Sequence, residues 1–115
     1  MIYKEGKVSD VQIAYIGGGS RGWAWTFMTD LALEPNMSGT IRLYDLDENA
    51  AKANEIIGNH VTEREEAVGK WKYETYTDVE QALTGADFIV ISILPGTFDE
   101  MAVDVHTPER LGIYQ

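Results

Sequence analysis

The sequence predicts an α/β protein whose core is a doubly wound parallel sheet of about four strands, in the order 3-2-1-4. Apolar runs alternate along the chain with segments of helical periodicity. The first apolar run leads through a glycine-rich turn into a helical pattern, the arrangement that opens a Rossmann-like sheet. The last apolar run, residues 88–93, is continuous, as expected of a strand that is buried on both faces.

The first half of the chain contributes two strands and two helices to this prediction. The strands cover residues 11–16 and 40–44, the first helix covers residues 21–33, and the second helix begins near Glu48 and ends before Gly69. Asp47 is the expected N-cap of the second helix, because its short carboxylate can accept hydrogen bonds from the first turn.

The second half contributes two further strands and shorter helices. Residues 71–75 alternate large and polar side chains, and residues 88–93 form the fourth strand. A short helix at residues 78–83 ends at Gly85, which suits the left-handed position after a helix. Three residue pairs mark helix beginnings: the capping boxes Thr77 with Glu80 and Thr97 with Glu100, and the N-cap pair Thr107 with Pro108.

Residues 17–22, the glycine turn, follow the pattern Gly-x-Gly-x-x-Gly that holds a dinucleotide pyrophosphate. Gly17 is expected to make the tight turn, Gly19 to leave room for the phosphates, and Gly22 to let the helix approach the sheet closely. The first amides of the following helix have no intrahelical partner, and the helix dipole favours an anion there.

Asp45 closes the second strand about 20 residues after the last glycine, where a carboxylate accepts hydrogen bonds from the adenosine ribose. It would repel a 2′-phosphate, and Asp47 and Glu48 add to that repulsion, so the predicted cofactor is NAD rather than NADP. The alternative is that Asp45 is a turn residue or the N-cap of the second helix.

The ends of strands one and four should face a single crevice, which places the backbone after strand four near the nicotinamide. The expected cofactor-binding residues are Gly17, Gly18, Gly19, Ser20, Arg21, Gly22, Asp45, Ile93, Leu94 and Pro95. Two of them have alternative roles: Ser20 as a cap of the first helix, and Arg21 as a solvated helix residue.

Composition excludes several function classes. A net charge of −10 argues against nucleic acid and against an anionic membrane surface as partners. There is no cysteine, and hence no thiolate ligand or nucleophile. No apolar run approaches a membrane span, and the polar first ten residues lack a signal-peptide core, which favours the cytoplasm.

Residues 1–115 are predicted to form one NAD-binding domain that is incomplete. A full dinucleotide fold has about six strands, and strand four would be left as a bare apolar edge. We therefore expect a fragment of a longer protein, or a domain that forms a homo-oligomer.

Several segments together resemble family 4 glycoside hydrolases, which share their fold with lactate and malate dehydrogenases. These are residues 13–20 (IAYIGGGS), 43–45 (LYD) and 83–88 (LTGADF). Residues 91–101 (ISILPGTFDEM), 104–106 (DVH) and 108–115 (PERLGIYQ) resemble the α-galacturonidase branch more narrowly. The resemblance covers nearly the whole chain, but only the N-terminal part of such an enzyme.

The resemblance implies hydrolysis of an α-galacturonide or related α-glycoside by oxidation at C3, elimination, addition of water and reduction, with NAD and Mn²⁺. In such enzymes a cysteine and a histidine hold the metal and a tyrosine is the base, all beyond the region matched here. No catalytic or metal-binding residue is therefore assigned to this chain, which alone should be inactive. Trp25 departs from the arginine expected in this branch.

Two other functions remain open: an NAD-dependent 2-hydroxy-acid dehydrogenase fragment, and a non-catalytic nucleotide-sensing module.

Trp23 and Trp25 lie two apart on a helix, so one is expected in the core and one on the surface. His60 and His106 are expected to make local hydrogen bonds rather than to act in catalysis.

Overall fold

The computed structural model describes residues 1–114, and Gln115, the last residue of the predicted domain, lies outside the described residues. Its elements, in chain order, are β1 (Ile2–Lys4), β2 (Lys7–Ile16), α1 (Trp23–Leu33), β3 (Met37–Tyr44), α2 (Glu48–Thr62), β4 (Lys70–Tyr76), α3 (Val79–Leu83), β5 (Phe88–Ile91) and α4 (Phe98–Glu109).

One mixed sheet organises the chain and confirms the predicted α/β class. Strand β2 pairs in parallel with β3 on one side and with β5 on the other, and β3 pairs in parallel with β4. Strand β1 pairs antiparallel with the beginning of β2. The carboxyl ends of β2, β3 and β5 therefore meet at one edge, which is where ligands bind in sheets of this kind.

The N-terminal hairpin was missed by the sequence analysis. Strand β2 begins at Lys7, not at residue 11, and β1 precedes it. Glu5 and Gly6 turn the chain with φ values of 52° and 79°, the left-handed geometry of a two-residue hairpin. Because the first ten residues are polar, they lack the apolar run by which the other strands were recognised.

Several predicted helix ends were correct. Asp47 caps α2 by accepting from the Ala50 amide, and Gly85 adopts a positive φ of 71° after α3. Thr97 and Glu100 form the predicted capping box of α4.

Other predicted ends were wrong. Asp78, not Thr77, caps α3, because its carboxylate accepts from the amides of Glu80 and Gln81. Thr107 and Pro108 do not begin a helix, since α4 continues through them to Glu109. A proline so near the end of a helix costs one intrahelical hydrogen bond without breaking it. Strand β5 ends at Ile91, which leaves Ile93 in the following loop.

The main core lies between the sheet and helices α1 and α2. Its buried side chains are Val11, Ile13, Tyr15, Ala24, Met28, Leu31, Ile41, Leu43, Ala51, Trp71 and Tyr73. The core members within each strand alternate, as the pleat requires. Gly58 lets α2 lie directly on β4, because a β-carbon there would be 2.6 Å from the Tyr73 ring.

Helix α3 contacts the opposite face of the sheet. There the Arg42 guanidinium donates to the carbonyls of Ala82 and Thr84 at 3.4 and 2.5 Å. Helix α4 buries no residue at all. Within residues 1–114, no helix combines the length and the apolar character that crossing a bilayer would demand.

Candidate functional site

An open cleft of about 1020 Å³ lies at the carboxyl ends of β2, β3 and β5. It brings together eight of the ten residues expected to bind a cofactor: Gly17, Gly19, Ser20, Arg21, Asp45, Ile93, Leu94 and Pro95. Gly18 and Gly22 do not line it. The volume suits a large organic ligand, since ligand pockets commonly measure about 300–1,000 Å³.

Gly17 is required at the point where β2 leaves the sheet. Its φ is 92°, and a β-carbon would overlap the carbonyl of Ser92, so both the conformation and the space exclude other residues. The amides of Gly17 and Gly18 both donate to the Tyr44 carbonyl at 2.9 Å. These two hydrogen bonds fix the glycine turn to the end of β3, and the end of β5 lies in close contact with Gly17.

Close packing involves Gly18 and Gly19 and does not involve Gly22. A β-carbon at Gly22 would meet nothing within 4 Å, so the prediction that Gly22 permits close helix packing was wrong. Gly18 makes the close approach instead, since a β-carbon there would be 2.8 Å from the Leu43 β-carbon. At Gly19 a β-carbon would be 2.7 Å from that of Ala50 and 2.9 Å from Asp45 Oδ2.

Asp45 joins the glycine turn to the segment between β3 and α2. Its Oδ2 accepts from the Gly19 amide at 2.8 Å, and its Oδ1 accepts from the Asp47 amide at 2.9 Å. Asp45 is not the helix cap, because Asp47 takes that position. Each carboxylate oxygen has two acceptor positions, so Asp45 retains capacity for a ligand in the cleft.

The N-terminus of α1 carries no competing side chain. Its N-cap is Gly22, no side chain accepts from its first amides, and its first turn holds no acidic residue. Ser20 is therefore not its cap. Because the first turn of a helix leaves its N–H groups unpaired and partly positive, this end of α1 suits an anion.

Arg21 is exposed and is the one basic side chain among the residues that line the cleft within residues 1–114. The acidic lining residues are Asp45 and Asp47, in the segment that follows β3. The cleft is thus lined by one cationic side chain from the glycine turn and two carboxylates from the segment after β3.

Asn54, on α2, was missed by the sequence analysis. Its side chain is 2% exposed, and its Nδ2 donates to the carbonyls of Gly18 and Ser20 at 2.7 and 2.9 Å. Its Oδ1 accepts from the Trp25 indole at 2.8 Å. The available signal was a lone asparagine in register with the buried Ala51 and Gly58, since such a polar residue must find partners.

The prediction that one of the two tryptophans of α1 lies in the core was wrong, because both are exposed. Trp23 is 76% exposed beside the cleft, and Trp25 is 45% exposed. The Trp25 side chain lies partly along the surface so that its indole N–H can reach Asn54.

The remaining titratable candidates lie outside the cleft. His106 contacts Glu109 at 2.8 Å and His60 contacts Glu63 at 3.9 Å, both at the surface. Burial raises the pKa of the Tyr73 hydroxyl, and the hydrogen bond from the Thr97 amide lowers the pKa of Glu100. Residues 1–114 contain no group of three His, Cys, Asp or Glu side chains that could hold a metal ion.

Known structures resemble this fold over most of its length. The crystal structure of lplD from Bacillus subtilis superposes with a TM-score of 0.74 at 53% identity, covering 93% of this chain and 24% of that one. A 6-phospho-β-glucosidase from Thermotoga maritima, solved with NAD and glucose-6-phosphate, gives a TM-score of 0.63 at 21% identity, covering 89% and 24%. The second likeness concerns the fold alone.

Two sequence relatives match the entire chain. An α-galacturonidase from Lachnoclostridium phytofermentans is 76% identical over 115 residues, and one from Thermoanaerobacterium saccharolyticum is 62% identical. Each match covers all of this chain and 25% of the relative, so the chain spans about a quarter of their length. The model of the family 4 glycosyl hydrolases matches residues 12–115. The chain belongs to family 4 of the glycosyl hydrolases.

Proposed function

We propose that this chain is the NAD-binding part of a larger enzyme that hydrolyses α-galacturonides. One observation carries the proposal: an uncapped helix N-terminus, a glycine turn and the Asp45 carboxylate that accepts from this turn line a single cleft. The 76% identical α-galacturonidase supports the substrate class, and the NAD-containing Thermotoga structure supports the cofactor.

The cofactor's diphosphate would lie on the N-terminus of α1. The free amides of the first turn donate to it, and the helix dipole stabilises its charge. Ser20 and Arg21 line the same side of the cleft, where a hydroxyl and a guanidinium can add hydrogen bonds.

Asp45 would accept hydrogen bonds from the adenosine ribose. Its position beside Asp47 disfavours the additional phosphate of NADP, because like charges at short range repel. Leu46 is 92% exposed between them and offers the adenine ring an apolar surface. The sequence analysis did not identify this residue.

The nicotinamide would lie toward the loop after β5. Ile93, Leu94 and Pro95 line this end of the cleft, and their apolar surface excludes water from one side of the ring. NAD bound there supplies a hydride acceptor for oxidation of the sugar at C3 and a donor for its later reduction. This chain's contribution is to bind and orient the cofactor.

Manganese has no site among the described residues. We propose that any metal used by the whole enzyme is held by sequence outside this chain, and no step here depends on it. The enzyme is proposed to act in the cytoplasm as a homo-oligomer, with neither nucleic acid nor membrane as partner. The net charge of −10 argues against nucleic acid and an anionic membrane as partners. The exposed apolar side chains of β5 support the homo-oligomer.

The test uses the intact gene product with p-nitrophenyl α-galacturonide, NAD and Mn²⁺. We expect release of nitrophenol that depends on added NAD and that NADP supports poorly. Asp45→Ala should weaken NAD binding by about 1–3 kcal/mol, the size of a lost hydrogen bond to a charged group. Reduction of NAD by a 2-hydroxy acid, or NAD binding without any hydrolysis, would overturn the assignment of activity.

A further inference from the structure

One buried amide connects the glycine turn to both neighbouring helices. Asn54 uses both N–H groups of its side chain on the carbonyls of Gly18 and Ser20, and its oxygen accepts from the Trp25 indole. The three distances lie between 2.7 and 2.9 Å. A single side chain of α2 thereby holds the turn and the first turn of α1.

The partners fix which way this amide faces. The two carbonyls can only accept and the indole N–H can only donate, so Asn54 has one orientation that satisfies all three. If the Trp25 donor were removed, the buried Asn54 oxygen would lose its hydrogen bond and the amide would lose this constraint.

The amide also determines where the backbone N–H groups of the turn point. In a planar trans peptide the C=O and N–H groups point in opposite directions. Because the Ser20 carbonyl faces Asn54, the Arg21 amide faces away from it, and that amide has no hydrogen-bond partner within residues 1–114. In the same way, the Gly18 carbonyl accepts from Asn54, so the Gly19 amide points in the opposite direction, where it donates to Asp45.

Such a restraint matters most at glycines. A run of three glycines, residues 17–19, has more backbone freedom to lose on binding than any other tripeptide. Holding the turn in one conformation before the ligand arrives removes that cost from the binding step.

We propose that Trp25 and Asn54 are positioning residues that preorganise the glycine turn for the cofactor diphosphate. This inference rests on the proposed NAD-binding function. Neither side chain contacts the cofactor: Asn54 acts by orienting the peptides of the turn, and Trp25 acts through Asn54.

A matched control lies on the same helix. Asn59 also bonds backbone groups through its side chain, but these are the N–H and C=O of Tyr73 on β4, at 3.0 and 2.9 Å. Asn59→Ala therefore removes a comparable number of hydrogen bonds from the fold without touching the turn.

The experiment titrates NAD into the intact gene product by calorimetry. Asn54→Ala is expected to raise the NAD dissociation constant by about tenfold to a hundredfold, and Trp25→Phe by about threefold to tenfold. Asn59→Ala is expected to lower the melting temperature and leave the dissociation constant within about twofold. The double variant should bind no more weakly than Asn54→Ala, because Trp25 acts through Asn54.

Amide hydrogen exchange of residues 18–21 without NAD gives a second readout. Exchange there should accelerate in Asn54→Ala and Trp25→Phe and remain unchanged in Asn59→Ala. Should Asn54→Ala fail to fold, Trp25→Phe decides the question, because it alters only a half-exposed ring.

Unchanged exchange and unchanged NAD affinity in Trp25→Phe would refute the proposal, as would fully additive effects of the two substitutions. An equal loss of affinity in Asn59→Ala would reduce Asn54 to a general structural role. If the unmodified protein bound no NAD, the proposed function would fail, whereas the exchange rates would still report whether the turn is restrained.

Discussion

The two outer strands of the parallel sheet present opposite kinds of edge. Along β4, side chains of α2 occupy the backbone groups that point away from the sheet: Asn59 bonds the N–H and C=O of Tyr73, and Glu55 accepts from the Thr75 amide at 2.8 Å. Along β5, the side chains of Phe88, Ile89 and Ile91 are 50–68% exposed.

At the β4 edge the outward backbone groups of Tyr73 and Thr75 have hydrogen-bond partners, whereas at the β5 edge apolar side chains are exposed. Unpaired strand edges invite association with other chains, and polar side chains that satisfy the edge prevent it. Side chains of α2 occupy backbone groups at the β4 edge, whereas β5 shows the bare apolar edge expected of a terminal strand. The prediction that this strand is buried on both faces, made from its continuous apolar run, was wrong because no further element covers it within residues 1–114. Ile91, the last residue of β5, lines the candidate cleft, and no residue of β4 does. The open edge is therefore the one beside the candidate site.

Gly58→Val would break the closed edge most severely. Its β-carbon would lie 2.6 Å from the Tyr73 ring and push α2, with Glu55 and Asn59, away from β4. We expect a loss of about 3 kcal/mol in the free energy of unfolding, measured by urea denaturation. Gly22→Ala is the control, since a β-carbon there meets nothing within 4 Å. Equal stability of the two variants would contradict the packing described here.

Asn59→Ala would open the β4 edge without moving the helix. The Tyr73 amide and carbonyl would both lose their partner, which should cost about 2 kcal/mol in the free energy of unfolding. Sedimentation should also show self-association that grows with concentration, because the edge becomes available for pairing. A variant that remained as monodisperse as the parent would show that other groups protect this edge.

Acid would weaken the same edge through Glu55. Burial acts to raise the pKa of Glu55, but its hydrogen bonds with Lys52 and Thr75 outweigh that effect and hold the pKa below its usual value. Its contribution to stability is therefore complete above the ordinary value of 4.5 and is lost as pH falls through the lower folded value.

Because burial of this partly exposed side chain offsets part of the effect of its hydrogen bonds, we expect this loss to stay below about 1 kcal/mol. Urea midpoints measured from pH 7 to pH 3 should fall less steeply in Glu55→Gln than in the parent. Parallel profiles for the two proteins would remove Glu55 from the account of this edge.

Ile89→Thr should have the smallest effect, because the side chain is already exposed at the open edge. For residues 1–115 alone we expect a change within about 0.5 kcal/mol in the free energy of unfolding. A much larger loss would mean that this edge is covered in solution, as in the proposed homo-oligomer.

Much of the fold could be predicted because its signals are local. Apolar runs located β2, β3 and β5. The residues Asp47 and Gly85 and the capping box of Thr97 with Glu100 located helix ends. The polar strand β1 and the extension of α4 through Pro108 escaped because neither follows the usual local pattern.

The candidate site was likewise predicted only in part from the sequence. The sequence placed Asp45 and the glycine turn at one crevice, because strand ends in a parallel sheet share an edge. It did not reveal Asn54, which lies more than thirty positions from the carbonyls that it bonds. Nor did it distinguish Gly18 from Gly22 as the glycine that approaches β3.

The local order of residues, by itself, determined that this chain forms an α/β sheet with a glycine turn after its first parallel strand. Those properties depend on backbone preferences and periodicity, which act between near neighbours. Only the tertiary structure decided which glycine meets a neighbouring strand, which asparagine holds the turn and which sheet edge is closed. Those outcomes depend on how distant surfaces pack, and buried polar groups reveal their partners only once those surfaces meet.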